Sequence, residues 1–171
     1  EHPYSVRTWA QSPLTPMPGA LLLALPFHLV GAVVLQNVFW LYILFLALGR
    51  LAHARRYALV VWAAALILSP KVLEEQVLQG ADYAVNATYI AIATLLLIQA
   101  ARRRARWPIQ AIAAAAVGIA FSSRLNFLLL APLVLSALVR LSGWKRALGL
   151  AGLAAAAFAA ITAPFYFTSP G

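Results

Sequence analysis

The sequence contains no cysteine, which excludes disulfides, thiol catalysis and cysteine-ligated metal sites. Acids are nearly absent: Glu1, Glu74, Glu75 and Asp82 stand against thirteen Lys and Arg. Charged residues of both signs make up only 10% of the chain, where soluble domains carry about 25%. A soluble fold with a well-charged surface is therefore excluded. No P-loop, dinucleotide fingerprint, HExxH helix or nucleophile elbow occurs. Aromatics do not interleave with the cations, and no nucleic-acid motif is present, so nucleic acid is not expected as a partner.

What remains is apolar. Of 171 residues, 64% are hydrophobic, and the mean hydropathy is +0.86. This composition reads as an all-α integral membrane protein, in which every polar residue has to be explained against lipid. The net charge of +9 is a topology signal, because the cations cluster between apolar segments. The chain opens at Glu1 and closes in "FYFTSPG", and reads as an excerpt of a longer membrane protein, cut in a loop at both ends.

The apolar segments are Gly19–Gly31, Ala32–Gly49, Tyr57–Ser69, Tyr83–Ala100, Pro108–Ser122, Leu125–Val139 and Ala147–Phe165. Three basic loops separate them: Arg50, Arg55 and Arg56; Arg102, Arg103, Arg104 and Arg106; Arg140, Lys145 and Arg146. The positive-inside rule assigns these loops to the cytoplasm. The spans between them then pair as outward-and-return hairpins. Gly19–Gly31 is about 20 Å long as a helix, too short for a hydrocarbon core of about 30 Å. It holds Pro26 and His28, and reads as a helix lying at the outer interface; a short kinked span is the alternative. The expected organisation is an outer loop over residues 1–18, an interfacial helix over 19–31, about six transmembrane helices over 32–165 and an outer loop over 166–171. The small-residue runs "AIAAAAVGIA" and "GLAGLAAAAFAA" suit helices packed closely inside a bundle.

This topology gathers the remaining polar residues on the outer face. Pro3, Pro13, Pro16 and Pro18 make residues 1–18 a non-helical approach. "SPKVLEEQVLQGADYAVN" carries Glu74, Glu75, Gln79, Asp82 and Asn86. "SSRLN" is a tight turn carrying the solitary Arg124, whose guanidinium suits an anion at headgroup depth. The plainer roles are also open: Arg124 as an interfacial cation on ordinary lipid phosphates or paired with Glu75 or Asp82, the Glu74–Glu75 pair as a solvated face, Asp82 as a helix cap, His28 as a headgroup-facing tip. Asn86-Ala87-Thr88 matches a glycosylation sequon but falls inside a span, and is discounted.

Three stretches together resemble the GT-C superfamily of glycosyltransferases. "PLTPMPGALLLALPFHLVG" is similar to its Tyr-Pro-Pro-Gly, Leu-rich juxtamembrane helix, with Met17 in place of one Pro. "LQGADYAVNATYIAIATLLLIQAARRRAR" is similar to an outer loop entering a long span with a basic end. "AAAAVGIAFSSRLNFLLLAPLVL" is similar to a small-residue helix leading to a lone Lys or Arg. Their order and spacing agree over nearly the whole chain. The resemblance implies a multi-pass enzyme of a bacterial plasma (inner) membrane, set among membrane lipids. It would move a hexose such as mannose from a polyprenyl-phosphate donor to an acceptor outside the cytoplasm. It implies donor-phosphate binding by Arg124, catalytic roles for Asp82 or Glu75, substrate contacts from Gln79, Asn86 and His28, and a place for a divalent cation, Mg or Mn. The family's main catalytic Asp would lie upstream of this chain. Two rival readings are a transporter or flippase, and a non-catalytic scaffold subunit.

Overall fold

In a computed structural model, the structure describes residues 18–32, 35–51, 56, 59–60 and 83–168. All regular elements among them are helical. In chain order they are α1 (Pro18–Leu29), α2 (Leu35–Leu51), α3 (Tyr83–Arg102), α4 (Trp107–Phe121), a 3₁₀ segment (Leu125–Leu130), α5 (Ala131–Ser142) and α6 (Trp144–Thr168). Among the described residues, three stretches are long and apolar enough to cross a membrane: Val85–Arg102, Leu125–Ser142 and Trp144–Pro164. The expected span Tyr57–Ser69 and the outer loop before Pro18 lie outside the described residues.

Element ends follow local chemistry. α1 stops in a Schellman turn: Gly31 N–H donates to His28 O at 3.0 Å and Ala32 N–H to Phe27 O at 2.9 Å. Gly31 takes φ +68°, which a glycine adopts without a Cβ clash. α5 closes on Gly143 at φ +79°. α4 opens with Pro108 in its first turn, where a missing N–H loses no helical bond.

The stretch expected as one span from Leu125 is long and apolar enough to cross, with six residues of 3₁₀ helix preceding α5. One expectation changes. The tail expected as loop from residue 166 is helical through Thr168. Pro164 removes one backbone donor there but does not end the helix, and apolar Phe165, Tyr166 and Phe167 suit continued spanning.

The chain divides into two compact units, Glu1–Leu23 with Leu97–Gly171, and Ala24–Leu96. In the first, α4 packs on α6 at very close range. A Cβ on Gly118 would run into the Ala154 carbonyl and the Ala157 methyl. The small-residue stripe thus brings two backbones together, as membrane helices do in the absence of a hydrophobic drive. On α4 the face of Ala113, Ala114, Val117 and Gly118 is interior, while Ile109 and Ile112 are exposed. For α6 the interior reading holds only on one face, where Ala147 and Leu150 are buried, while Leu148 and Leu153 are exposed. In the second unit an aromatic series runs from Phe27 to Phe39 (5.3 Å between centroids), Trp40 (5.2 Å) and Tyr89 (5.0 Å).

Candidate functional site

The turn after α4 presents Arg124. Its polar groups are largely satisfied from within. Ser122 N–H donates to Gly118 O at 3.0 Å, Ser123 N–H to Ala120 O at 3.1 Å and Arg124 N–H to Phe121 O at 3.3 Å. Both serine hydroxyls reach back one turn, Ser122 Oγ to Ile119 O at 2.8 Å and Ser123 Oγ to Ala120 O at 2.6 Å. Ser122 and Ser123 are buried. A turn with its donors so occupied is tolerated at membrane depth. α4 has 15 residues, so it rises about 22 Å, short of a hydrocarbon core of about 30 Å.

Arg124 itself is extended, at φ −157° and ψ 126°, and caps the 3₁₀ segment. Its side chain is half-buried, and its Nε is shielded from solvent. The start of α1 packs on the same turn. Gly19 N–H donates to Ser122 O at 3.3 Å, and a Cβ on Gly19 would meet Ser122 Oγ, Ile119 O and Ser123 N. Pro18, Gly19 and Ala20 are buried there. The first and third resembling stretches therefore touch.

An apolar cavity of about 170 Å³ opens in the same unit, between α4, the 3₁₀ segment, α5 and α6. Phe121 and Leu128 line it, three residues before and four after Arg124; Val117, Leu135, Leu138 and Phe158 continue the wall. Apolar cavities of about 150 Å³ stay dry and take hydrocarbon ligands. Arg124 is not itself a lining residue but lies in sequence between two that are, and a cation near an apolar space suits an amphiphile that carries an anionic head.

The other site residues divide as follows. Asn86 belongs to the second unit, on α3, and is 0% exposed, with no hydrogen-bond partner for either amide atom among the described residues. Gln36 Oε1 and Trp40 Nε1 in that unit are buried in the same condition. The burial of Asn86 agrees with discounting the sequon. His28 is exposed in the last turn of α1. Glu75, Gln79 and Asp82 lie outside the described residues. Among the described residues no three His, Asp or Glu side chains gather around a common point, so none there form a cage for a divalent cation.

Sequence reasoning missed Gly19's close approach and the internal bonding of Ser122 and Ser123. The signals were there: a glycine directly after Pro18 at a helix start, and two hydroxyl residues directly before a lone cation. It also missed Gln110, 1% exposed on α4, whose amide bonds three groups of the arginine-rich end.

The chain matches no family model, no curated protein and no solved structure.

Proposed function

We propose that this chain is the membrane-embedded part of a GT-C-like glycosyltransferase, with Arg124 binding the phosphate of a polyprenyl-phosphate sugar at the extracytoplasmic face. One observation carries the reading. Arg124 stands on an internally satisfied turn between two residues, Phe121 and Leu128, that wall an apolar cavity. The phosphate meets a guanidinium that offers two parallel donors, and the first part of the lipid tail enters the cavity. The juxtamembrane start of α1, packed on the same turn, encloses the site from a second side.

In the reaction an acceptor hydroxyl oxygen bonds to the anomeric carbon. The carbon–oxygen bond to phosphate breaks, and its electron pair leaves with the phosphate. The hydroxyl proton passes to a carboxylate, for which Asp82 and Glu75 are the candidates in this chain. Arg124 stabilises the charge growing on the leaving phosphate. The protein is multi-pass in this reading, with its arginine-rich loops in the cytoplasm of a bacterial cell.

The test is sugar transfer from a radiolabelled polyprenyl-phosphate hexose in membranes carrying the full-length protein. Arg124→Ala should lower transfer by roughly 10²-fold or more, the scale for removing one donor to a developing anion. Equal transfer by both proteins would remove Arg124 from the mechanism.

A further inference from the structure

At the end of the molecule opposite Arg124 along α4, the chain builds a second polar cavity. It has a volume of about 330 Å³ and is lined by Ala101, Arg104, Gln110, Leu141, Ser142 and Arg146. All six belong to one unit. Two guanidinium groups face one space, and no described residue of the protein is acidic.

The two cations are held differently. Arg146 is fixed: its Nε donates to Gln110 Oε1 at 3.0 Å, its Nη2 to Ala105 O at 3.4 Å, and its guanidinium carbon lies 5.8 Å from the centre of the Trp107 ring. Gln110 is fixed in turn, donating through Nε2 to Ala105 O at 2.9 Å and Ala100 O at 3.3 Å. The Arg104 side chain makes no hydrogen bond or ion pair with any other described residue.

Arg104 also occupies an unusual backbone position. α3 ends in a Schellman turn, with Arg104 N–H on Ala101 O and Ala105 N–H on Ala100 O, both at 3.0 Å. The left-handed residue of that turn is Arg104, at φ +49°, the one non-glycine with positive φ among the described residues. The equivalent turn after α1 uses Gly31, at φ +68°. Glycine is the unstrained choice at such a position, and an L-residue is strained there. A strained arginine aimed at a cavity that already holds a fixed guanidinium points to a ligand rather than to folding.

We infer that this cavity is a phosphate-binding site, with Arg146 pre-set and Arg104 closing on the oxyanion. The phosphate is that of an anionic phospholipid. Exposed Trp107 and Trp144 sit at this same end, at the starts of α4 and α6, and exposed tryptophans at helix ends mark headgroup depth. Basic pockets between helix ends at that depth take lipid headgroups. Exposed Arg103, Arg106, Arg140 and Lys145, each within four residues in sequence of a lining residue, raise the local concentration of anionic lipid.

The test compares full-length wild type with Arg104→Gly and Arg104→Lys in two arms. One arm uses nanodiscs of phosphatidylcholine with increasing phosphatidylglycerol in phosphate-free buffer. The other uses phosphatidylcholine nanodiscs with added inorganic phosphate. Bound lipid is read by native mass spectrometry and thermal midpoint by tryptophan fluorescence. Arg104→Gly relieves the backbone, so its midpoint in pure phosphatidylcholine should equal or exceed that of wild type. Wild type should gain a saturable, phosphatidylglycerol-dependent rise in midpoint and a retained anionic lipid. Arg104→Gly should need at least about tenfold more phosphatidylglycerol for the same rise, as loss of a charged hydrogen bond implies. Arg104→Lys should fall between the two. A response to inorganic phosphate alone would overturn the lipid assignment. Identical curves for wild type and Arg104→Gly in both arms would overturn the site itself.

Discussion

Gly19 N–H donates to the carbonyl of Ser122 at 3.3 Å, in a contact so close that no Cβ fits on Gly19. This bond ties residues more than a hundred positions apart, and it sets the start of α1 against the turn that carries Arg124. Gly19→Ala should therefore push α1 off that turn. The expected loss is about 1–3 kcal/mol, the usual scale for overpacking. Thermal unfolding of the detergent-solubilised full-length protein checks it, and an unchanged midpoint would show that the contact is not maintained.

The approach of α4 to α6 makes a paired prediction. Gly118→Ala places a methyl against the Ala154 carbonyl and should destabilise by about 1–3 kcal/mol. Gly152, also helical, has nothing within 4 Å of its would-be Cβ. Gly152→Ala should be neutral, or stabilising by up to about 1 kcal/mol through helix propensity. Measured side by side, the two midpoints should move apart.

Gln110 bonds Ala100 O, Ala105 O and Arg146 Nε through a side chain that is almost wholly buried. Gln110→Leu keeps the volume but orphans those groups. A loss of about 2–4 kcal/mol is expected, since buried polar groups left unsatisfied cost about 1–3 kcal/mol each. Hydrogen exchange should quicken first at residues 103–106, whose loop the amide supports.

Asn86 gives the opposite sign. Its amide is buried without a partner among the described residues, a burden of about 1–3 kcal/mol. Asn86→Leu should raise the thermal midpoint, by about 2–4 °C per kcal/mol gained. If the amide contacts substrate, transfer should fall in the same variant. A lower midpoint would mean that the amide is already satisfied by the folded chain.

Helix identity was legible in the sequence because apolar length and charge placement act locally. Five of the described helices start and end within three residues of the segments read from hydropathy; α5 starts later because 3₁₀ geometry takes the first two turns of its segment. The Arg124 turn was legible for the same reason, since "SSR" interrupts two apolar runs. The contact of Gly19 with Ser122 was not, because it depends on how α1 meets α4, and no local pattern encodes that. The Arg104 pocket was hidden by averaging: counted with its neighbours it is one cation in a basic loop, and only its positive φ separates it from Arg102, Arg103 and Arg106. The α6 tail was misread because "FYFTSPG", taken whole, reads as a loop-like stretch, while its aromatics favour remaining in helix.

The account requires Arg124 and the arginine-rich loops to face opposite sides of the bilayer. The cysteine-free sequence allows this to be measured with single substitutions. Asn126→Cys, exposed two residues past Arg124, and Arg103→Cys, exposed in the basic loop, would be treated in intact cells with a membrane-impermeant maleimide. Labelling at 126 without labelling at 103 until the cells are permeabilised is the predicted result. Labelling at 103 with protection at 126 would contradict the account.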